Sequence, residues 1–107
     1  MQFYRDEAGD PRVRGADHDP LADFLESDVQ GSAVYAWELL GVVDRLLEDD
    51  LEEWARGGNS YYLTLTPESA LLEHGSDEAP AHEVPLHTFR NALAGWLEFL
   101  ESGGRPS

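Results

Sequence analysis

The chain lacks cysteine, lysine and isoleucine throughout its 107 residues, and Met1 is its only methionine. The absence of cysteine excludes disulfide frameworks, thiolate zinc sites and cysteine nucleophiles. No apolar segment reaches the length of a membrane span, and residues 1–6 lack the basic region and apolar run of a signal peptide. These absences predict a cytoplasmic protein that does not enter a membrane.

Positive charge is scarce, because seven arginines face 22 acidic residues and the formal net charge is -15. A surface of this kind repels nucleic acid and anionic membranes, and it attracts cationic proteins most rapidly at low salt. Basic residues that are all arginine, with abundant alanine, glycine and leucine, are also typical of a GC-rich genome. The acidity therefore has two explanations, a basic partner or the composition of the genome or habitat, and the sequence leaves both open.

Hydrophobic residues make up 41% of the chain, which suffices for one modest core. We predict one α+β domain over residues 1–102 and a flexible C-terminal tail at residues 103–107. The expected architecture is a small antiparallel sheet packed against two main helices. An N-terminal hairpin and a second hairpin form this sheet, and the rough order of elements is ββααββ(β)α.

The N-terminal part of the chain predicts a hairpin followed by a short helix. Residues 2–5 and 12–15 lie on either side of a turn that contains Gly9, as in a β-hairpin. Asp19 and Pro20 have the pattern of a helix N-cap and a first helical residue. The short helix that follows has an apolar side made of Leu21, Phe24, Leu25 and Val29.

The longest predicted helix begins after Ser32, its N-cap, and runs through Trp54 to a stop at Gly57 and Gly58. Its apolar arc follows three- and four-residue spacing and comprises Val34, Tyr35, Ala36, Trp37, Leu39, Leu40, Val42, Val43, Leu46, Leu47, Leu51 and Trp54. Carboxylates crowd residues 48–53, where they repel one another and the negative end of the helix dipole. We therefore expect packing, and not helix propensity, to hold this helix.

The C-terminal half predicts strands and a last helix. Residues 60–66 alternate as a strand with one face made of Tyr61, Leu63 and Leu65. Residues 69–73 are expected to return antiparallel in a register that stays open, with the inward position taken by Leu71 or Leu72. Residues 75–81 predict a polar mobile loop, and residues 83–86 an edge strand that tolerates proline. Thr88 is the expected N-cap of the last helix, whose apolar stripe is Phe89, Ala92, Leu93, Trp96, Leu97 and Leu100.

Patterns that carry chemistry are missing from the sequence. The histidines have no spacing that would make metal ligands converge; they are His18, His74, His82 and His87. Pairs of acids are unavoidable in so acidic a chain, and only Glu38 falls within an apolar stripe. No nucleophile motif, phosphate-binding glycine loop or dinucleotide fingerprint occurs. We therefore predict no catalytic residue, no metal and no cofactor, and a protein that is not an enzyme.

The densest group of carboxylates lies at Glu48, Asp49, Asp50, Glu52 and Glu53. One explanation is a solvated helix face, and the other is a contact surface for a basic partner, whose charge would relieve the repulsion. Tyr62 is predicted to be an exposed aromatic contact residue on the sheet. A second acidic group would strengthen the field if it shared a face with the first; it comprises Asp17, Asp19, Asp23, Glu26 and Asp28.

Two short motifs are similar to those of a known family. Residues 3–9 fit Phe-x-Arg-Asp-x-x-Gly, and residues 54–58 fit Trp-x-Arg-x-Gly. Other matching positions are His18, Phe24, Asp28, Val29, Tyr62, Leu63, Phe89, Trp96 and Phe99. The ensemble resembles the YacL-like family of small acidic bacterial proteins of uncharacterised function. The resemblance implies a fold and no catalytic residues, and the chain departs from the family at residues 75–81 and in having arginine as its only basic residue.

Both motifs also have structural explanations, which we favour. Arg5 is expected to pair with a carboxylate of the longest helix, or Asp6 to accept backbone N–H groups of the hairpin. Trp54 and Arg56 are expected to close the longest helix just before the sheet.

The functional prediction is a non-enzymatic, acidic protein-binding module, concretely an immunity or inhibitor protein that neutralises a basic toxin or nuclease. Basic nucleases grip phosphates, and a carboxylate-rich surface can occupy the same groove. The alternative is a YacL-like cytoplasmic adaptor or self-associating protein, a homodimer included, whose acidity reflects genome composition.

Overall fold

The computed structural model describes residues 1–75 and 80–102. It contains two antiparallel sheets, one of two strands and one of four, together with helices, as expected of an α+β protein. The predicted fold class is confirmed. The tail at residues 103–107 and most of the predicted loop at residues 75–81 lie outside the described residues.

The N-terminal hairpin forms as predicted, from β1 (Phe3–Arg5) and β2 (Pro11–Val13). Phe3 pairs with Val13, which is buried. Gly9 has a φ of 86° in the turn, a value that glycine adopts without steric strain. The short sheet therefore places its apolar end against the core.

The first helical segment also follows its sequence signals. Helix α1 (Pro20–Phe24) begins after Asp19, whose carboxylate accepts a hydrogen bond from the Leu21 N–H at 3.0 Å. A wider, π-helical turn at Leu25–Val29 follows and ends where the Gln30 N–H reaches the Leu25 carbonyl at 2.8 Å. All four predicted apolar side chains are buried: Leu21, Phe24, Leu25 and Val29.

Helix α2 (Ala33–Leu47) begins as predicted, since the Ser32 hydroxyl accepts a hydrogen bond from the Tyr35 N–H at 3.1 Å. Its predicted end at Trp54 is wrong. Asp49 has a φ of 59°, which breaks the helix directly after Leu47, in the stretch where carboxylates would repel the helix dipole. Residues 54–57 form a strand instead.

The larger sheet has the order β3 (Trp54–Gly57), β4 (Tyr61–Leu65), β5 (Ser69–His74) and β6 (His82–Pro85). Tyr61, Leu63 and Leu65 are buried on one face of β4, as predicted. Leu63 lies opposite Leu72, so Leu72 is the inward residue of the return strand. The opposite face carries exposed side chains, among them Tyr62, Glu73 and Glu83.

Helix α3 (Leu86–Glu101) begins immediately after the predicted edge strand β6. The predicted N-cap at Thr88 is wrong, because the helix already starts at Leu86, whose N–H donates to the Glu68 carbonyl at 3.1 Å. A backbone acceptor from the β4–β5 turn thus satisfies the first N–H group of the helix, and no side-chain cap is present there. The core lies between the helices and the inner face of the sheet, and Phe89, Leu93, Trp96 and Leu97 of α3 are buried in it.

Three residues of the predicted apolar arc on α2 are not in this core, and one of them, Leu47 in the last turn, is about half exposed. Val34 is 70% exposed and Trp37 is 58% exposed, whereas Ala36, Leu39 and Val43 are fully buried. The buried arc is therefore narrower than the sequence indicates.

Candidate functional site

The carboxylates at positions 48–53 form a loop between α2 and β3, which we call the acidic loop. Every acidic residue in it is exposed, and Leu51 is partly buried against the core. The prediction that these carboxylates lie on a helix is wrong, because α2 ends at Leu47 and the positive φ of Asp49 breaks the helix there. Leu51 instead anchors the middle of the loop while the acids around it project outward.

The acidic loop has little neutralising charge nearby. Asp50 pairs with Arg45 at 3.5 Å, and both side chains are more than half exposed. Exposed pairs of this type contribute roughly 0–1 kcal/mol, because water and salt screen them. The loop therefore keeps a strong negative potential next to the C-terminal end of α2, where the helix dipole adds to it.

Tyr62 is 50% exposed, as predicted. It lies on the outer face of β4 opposite Gly57, whereas the acidic loop joins β3 at Trp54, opposite Leu65. Three residues of strand separate these positions by about 10 Å along the sheet, at about 3.4 Å per residue. The structure thus separates Tyr62 from the acidic loop along the strand direction.

Four of the five carboxylates in the second acidic group accept hydrogen bonds from other groups of the fold. The Asp28 carboxylate accepts the Ser60 N–H at 2.8 Å and the Tyr61 N–H at 3.0 Å. It thereby caps the turn between β3 and β4 from a distant part of the chain. A Cβ atom at Gly58 would collide with this carboxylate, so the turn and Asp28 fit each other only with glycine there.

Asp23 and Glu26 hold two further elements. The Tyr61 hydroxyl donates to the Asp23 carboxylate at 2.9 Å; burial, together with this hydrogen bond, raises the pKa of Tyr61 above its ordinary value of 10.0. Glu26 accepts the Val13 N–H at 3.1 Å and thus ties the N-terminal hairpin to the helical segment. With Asp19 and Asp28 these residues form a set that we call the bracing acids. Asp17 is not among them, since it is exposed and contacts only His18, at 3.5 Å, among the ion pairs of the described chain.

The six described arginines each contact another group of this chain. Arg12, Arg45, Arg56 and Arg90 form ion pairs with acids, while Arg14 lies over the Tyr4 ring and Arg5 donates to the Gly9 carbonyl. Their positive charge is therefore largely matched locally. The negative charge that these arginines do not neutralise therefore lies on groups such as the acidic loop.

Residues of the first motif support the hairpin. Asp6 accepts the Ala8 and Asp10 N–H groups at 3.0 and 2.9 Å, so the expectation for its carboxylate is confirmed. The Arg12 guanidinium, which donates to Asp6 at 2.9 Å, and the Asp10 N–H hold the pKa of that carboxyl below its ordinary value. Arg5 lies 5.5 Å from the centre of the Phe99 ring.

Residues of the second motif lie on β3, so their predicted role in closing the longest helix is wrong. Arg56 stacks on the Tyr35 ring at 4.9 Å and pairs with Glu38 at 3.7 Å, and in this way joins the sheet to α2. Glu38 is exposed and not enclosed in the apolar stripe. Both motifs thus hold elements of the fold together.

Within residues 1–75 and 80–102, no three histidine or acidic side chains lie close enough to hold a metal ion together. His74 packs edge-on against Tyr61 with ring centres 5.0 Å apart. His18 pairs only with its exposed neighbour Asp17, as noted above. In the described part of the chain, His74 therefore has a structural position and His18 lies at the surface.

Sequence reasoning missed an open groove between α2 and α3. Its volume is about 530 Å³, and its apolar lining includes Trp37, Leu40, Ala94 and Leu97. Trp37 was expected in the core because it lies at the edge of the apolar arc. Gly41, one helical turn from Trp37, is also exposed, and a Cβ atom there would meet no other atom within 4 Å.

No described helix is long and apolar enough to cross a membrane. Comparison with protein-family models, with curated proteins and with solved structures finds no match to this chain.

Proposed function

We propose that this protein is a non-enzymatic, acidic binding module for a basic protein, and that it acts as an inhibitor or immunity protein. The observation that carries the proposal is that five exposed carboxylates lie in the acidic loop and that, in the described part of the chain, Asp50 is the one among them that forms an ion pair. A cationic partner would relieve the repulsion within the loop, so binding and charge relief favour the same complex.

The acidic loop is suited to such contact because it is anchored and still accessible. Leu51 packs against the core, and the positive φ at Asp49 fixes the turn that presents the flanking carboxylates. Preformed charge of this kind increases the rate of association with a basic surface. Tyr62 lies on the outer face of the sheet, away from the acidic loop, and stays a predicted contact residue.

The test is affinity capture from the native host with the wild-type protein and with a loop variant in which Glu48, Asp49, Asp50, Glu52 and Glu53 are changed to their amides. The proposal expects a basic protein that only the wild type retains and that elutes as salt rises. Isothermal titration with the purified partner should then give a dissociation constant that increases with ionic strength. Retention of the same partner by the amide variant, or binding indifferent to salt, would contradict the proposal.

A second candidate function is self-association, as in the YacL-like adaptor alternative. The half-exposed Tyr62 on the outer sheet face favours it, because exposed aromatics are enriched at interfaces. Sedimentation equilibrium of the wild type and of Tyr62→Ser decides this candidate. A dimer that the substitution dissociates supports self-association, and a monomer at all concentrations excludes it.

A further inference from the structure

Strand β3 lies at one edge of the larger sheet, where β4 is its neighbour. The Gly58 N–H donates to the Tyr61 carbonyl at 2.8 Å, so these two residues form a hydrogen-bonded pair. Such pairs alternate with non-hydrogen-bonded pairs along an antiparallel ladder, and the next pair, Gly57 with Tyr62, is therefore of the second type. The N–H and C=O groups of Gly57, and of Ala55 two residues earlier, consequently point away from β4 and toward the edge.

The β3 edge is open to solvent. Ala55 and Gly57 are exposed, and within residues 1–75 and 80–102 no hydrogen bond reaches their outward N–H and C=O groups. The strand at the opposite edge, β6, ends in Pro85, which has no N–H to donate, whereas β3 contains no proline. Unpaired main-chain groups on an edge without such protection are a template for a further strand.

The β3 edge also connects the two groups of predicted contact residues. The strand follows the acidic loop directly and ends at Gly57, beside Tyr62. A Cβ atom at Gly57 would lie 3.7 Å from a carbon of the Tyr62 ring, so the ring lies beside the space that the glycine leaves empty. One strand added along β3 would span the roughly 10 Å between the acidic loop and Tyr62, and it would contact both.

The outer face of the sheet indicates the charge that such a strand would carry. By alternation, β3 and β4 place uncharged side chains on this face. The charged side chains on the outer face of the described strands are Glu73, which lies opposite Tyr62, and Glu83. Arg56 of β3 points to the other face, where it stacks on the Tyr35 ring. A cation on the outer face would therefore meet negative charge and an exposed aromatic ring.

We infer that an extended segment of the basic partner binds to the β3 edge as a fifth strand of the sheet. The inference rests on the proposed function and names the partner's binding element. Main-chain hydrogen bonds to Ala55 and Gly57 hold the segment, cationic side chains on its outer face lie over Tyr62, and one of its ends lies beside the acidic loop. Charge selects this occupant over a second copy, since two chains that each carry a net charge of -15 repel each other.

The experiment uses the full chain and three synthetic peptides of alternating lysine and threonine. The first is unmodified, the second is N-methylated at its lysines, and the third is N-methylated at the same number of threonines. The lysines take the outer face because Arg56 lies on the other, and an added strand turns only alternate N–H groups toward its neighbour. Since all three peptides carry the same charge, fluorescence anisotropy should show one methylated peptide binding nearly as tightly as the unmodified one and the other at least about tenfold more weakly.

Variants of the protein test the same edge from its other side. Ala55→Pro removes an outward N–H without breaking a hydrogen bond to β4, and it should weaken binding of the unmodified peptide at least about tenfold. Ala55→Val keeps the N–H at a similar side-chain size, so this matched control should bind as the wild type does. Thermal unfolding followed by circular dichroism establishes that each variant is folded. If Ala55→Pro does not fold, the methylated peptides decide the question alone.

Tyr62→Ala tests the aromatic contact. It should weaken binding of the unmodified peptide by about two- to fivefold, because a cation–π contact is lost. Tyr4→Ala is its control, since Tyr4 is a similarly exposed aromatic that lies on the N-terminal hairpin. This variant should leave the binding unchanged.

Three results would overturn the inference in separate ways. In the first, the two methylated peptides bind alike, or Ala55→Pro binds as Ala55→Val does. In the second, Tyr62→Ala binds no more weakly than Tyr4→Ala. In the third, the wild type is a dimer in sedimentation that Ala55→Pro dissociates, which would make a second copy the occupant.

Failure of the inference differs visibly from failure of the proposed function. If all three peptides bind equally and the amide variant of the acidic loop abolishes their binding, charge recognition stands and the β3 edge is excluded. If no peptide binds at low salt, both are contradicted.

Discussion

The bracing acids and the acidic loop have nearly the same composition and opposite environments. Asp23, Glu26 and Asp28 each accept a hydrogen bond from another element. The carboxylates of the acidic loop project from a connection, and the described ion pair there is the exposed contact between Arg45 and Asp50. Acidic composition alone thus does not distinguish a residue that stabilises the fold from one that is available to a partner. The hydrogen-bond donors near each carboxylate make that distinction.

The largest effect is expected at Asp28. Asp28→Ala leaves the Ser60 and Tyr61 N–H groups in a partly buried turn without their acceptor. A group left in this way costs roughly 1–3 kcal/mol, so the free energy of unfolding should fall by about that amount or more. Urea unfolding measures it. The matched control is Asp50→Ala in the acidic loop, for which a change within about 0.5 kcal/mol is expected; equal losses would remove the distinction.

The next effect concerns Gly58, which contacts the same carboxylate. Gly58→Ala places a Cβ atom against the Asp28 side chain and should destabilise the protein. Because neighbouring substitutions couple, the penalty should shrink by about 0.5–3 kcal/mol in a background of Asp28→Ala. A double-mutant cycle from urea unfolding checks this. Additive losses would show that Gly58 is required for a reason other than Asp28.

A smaller effect is expected at Tyr61, with a pH dependence of known sign. Tyr61→Phe removes the hydrogen bond to Asp23 and should lower the free energy of unfolding by about 1 kcal/mol at neutral pH. The raised pKa of Tyr61 means that the folded protein holds the phenolic proton more tightly than the unfolded chain. That contribution is complete below the ordinary value of 10.0 and is lost as pH rises through the folded pKa.

Alkaline unfolding therefore sharpens the test of Tyr61. Above about pH 10 the wild type should lose stability more steeply than Tyr61→Phe, because the variant has no phenol there to ionise. Tyr62→Phe serves as the control, since Tyr62 is exposed. Parallel slopes for the wild type and Tyr61→Phe would mean that the Tyr61 proton does not contribute to folding.

Local signals in the sequence predicted much of this fold. The caps at Asp19 and Ser32, the alternation from Tyr61 to Leu65 and the stripe on α3 each depend on neighbours a few residues apart. Such patterns distinguish a helix from a strand because the spacing of the apolar residues follows the period of the backbone conformation. The N-terminal hairpin with Gly9 was also predicted from residues that lie close together in the sequence.

The errors arose where distant parts of the chain decide the structure. The spacing of Leu51 and Trp54 continues the helical period, and only the backbone at Asp49 and pairing with β4 convert Trp54 to a strand residue. The contact between Asp28 and Gly58 joins segments far apart in sequence. Trp37 was misplaced because periodicity identifies the centre of a buried arc better than its edges.

The most direct test of the account compares two triple variants with the same change in charge. One is Asp23→Asn, Glu26→Gln and Asp28→Asn; the other is Asp49→Asn, Asp50→Asn and Glu52→Gln. Urea unfolding should show a large loss of stability, or no folded state, for the first, and wild-type or greater stability for the second, where repulsion is relieved. Equal stabilities for the two variants, or a greater loss for the second, would contradict the division between bracing acids and acidic loop.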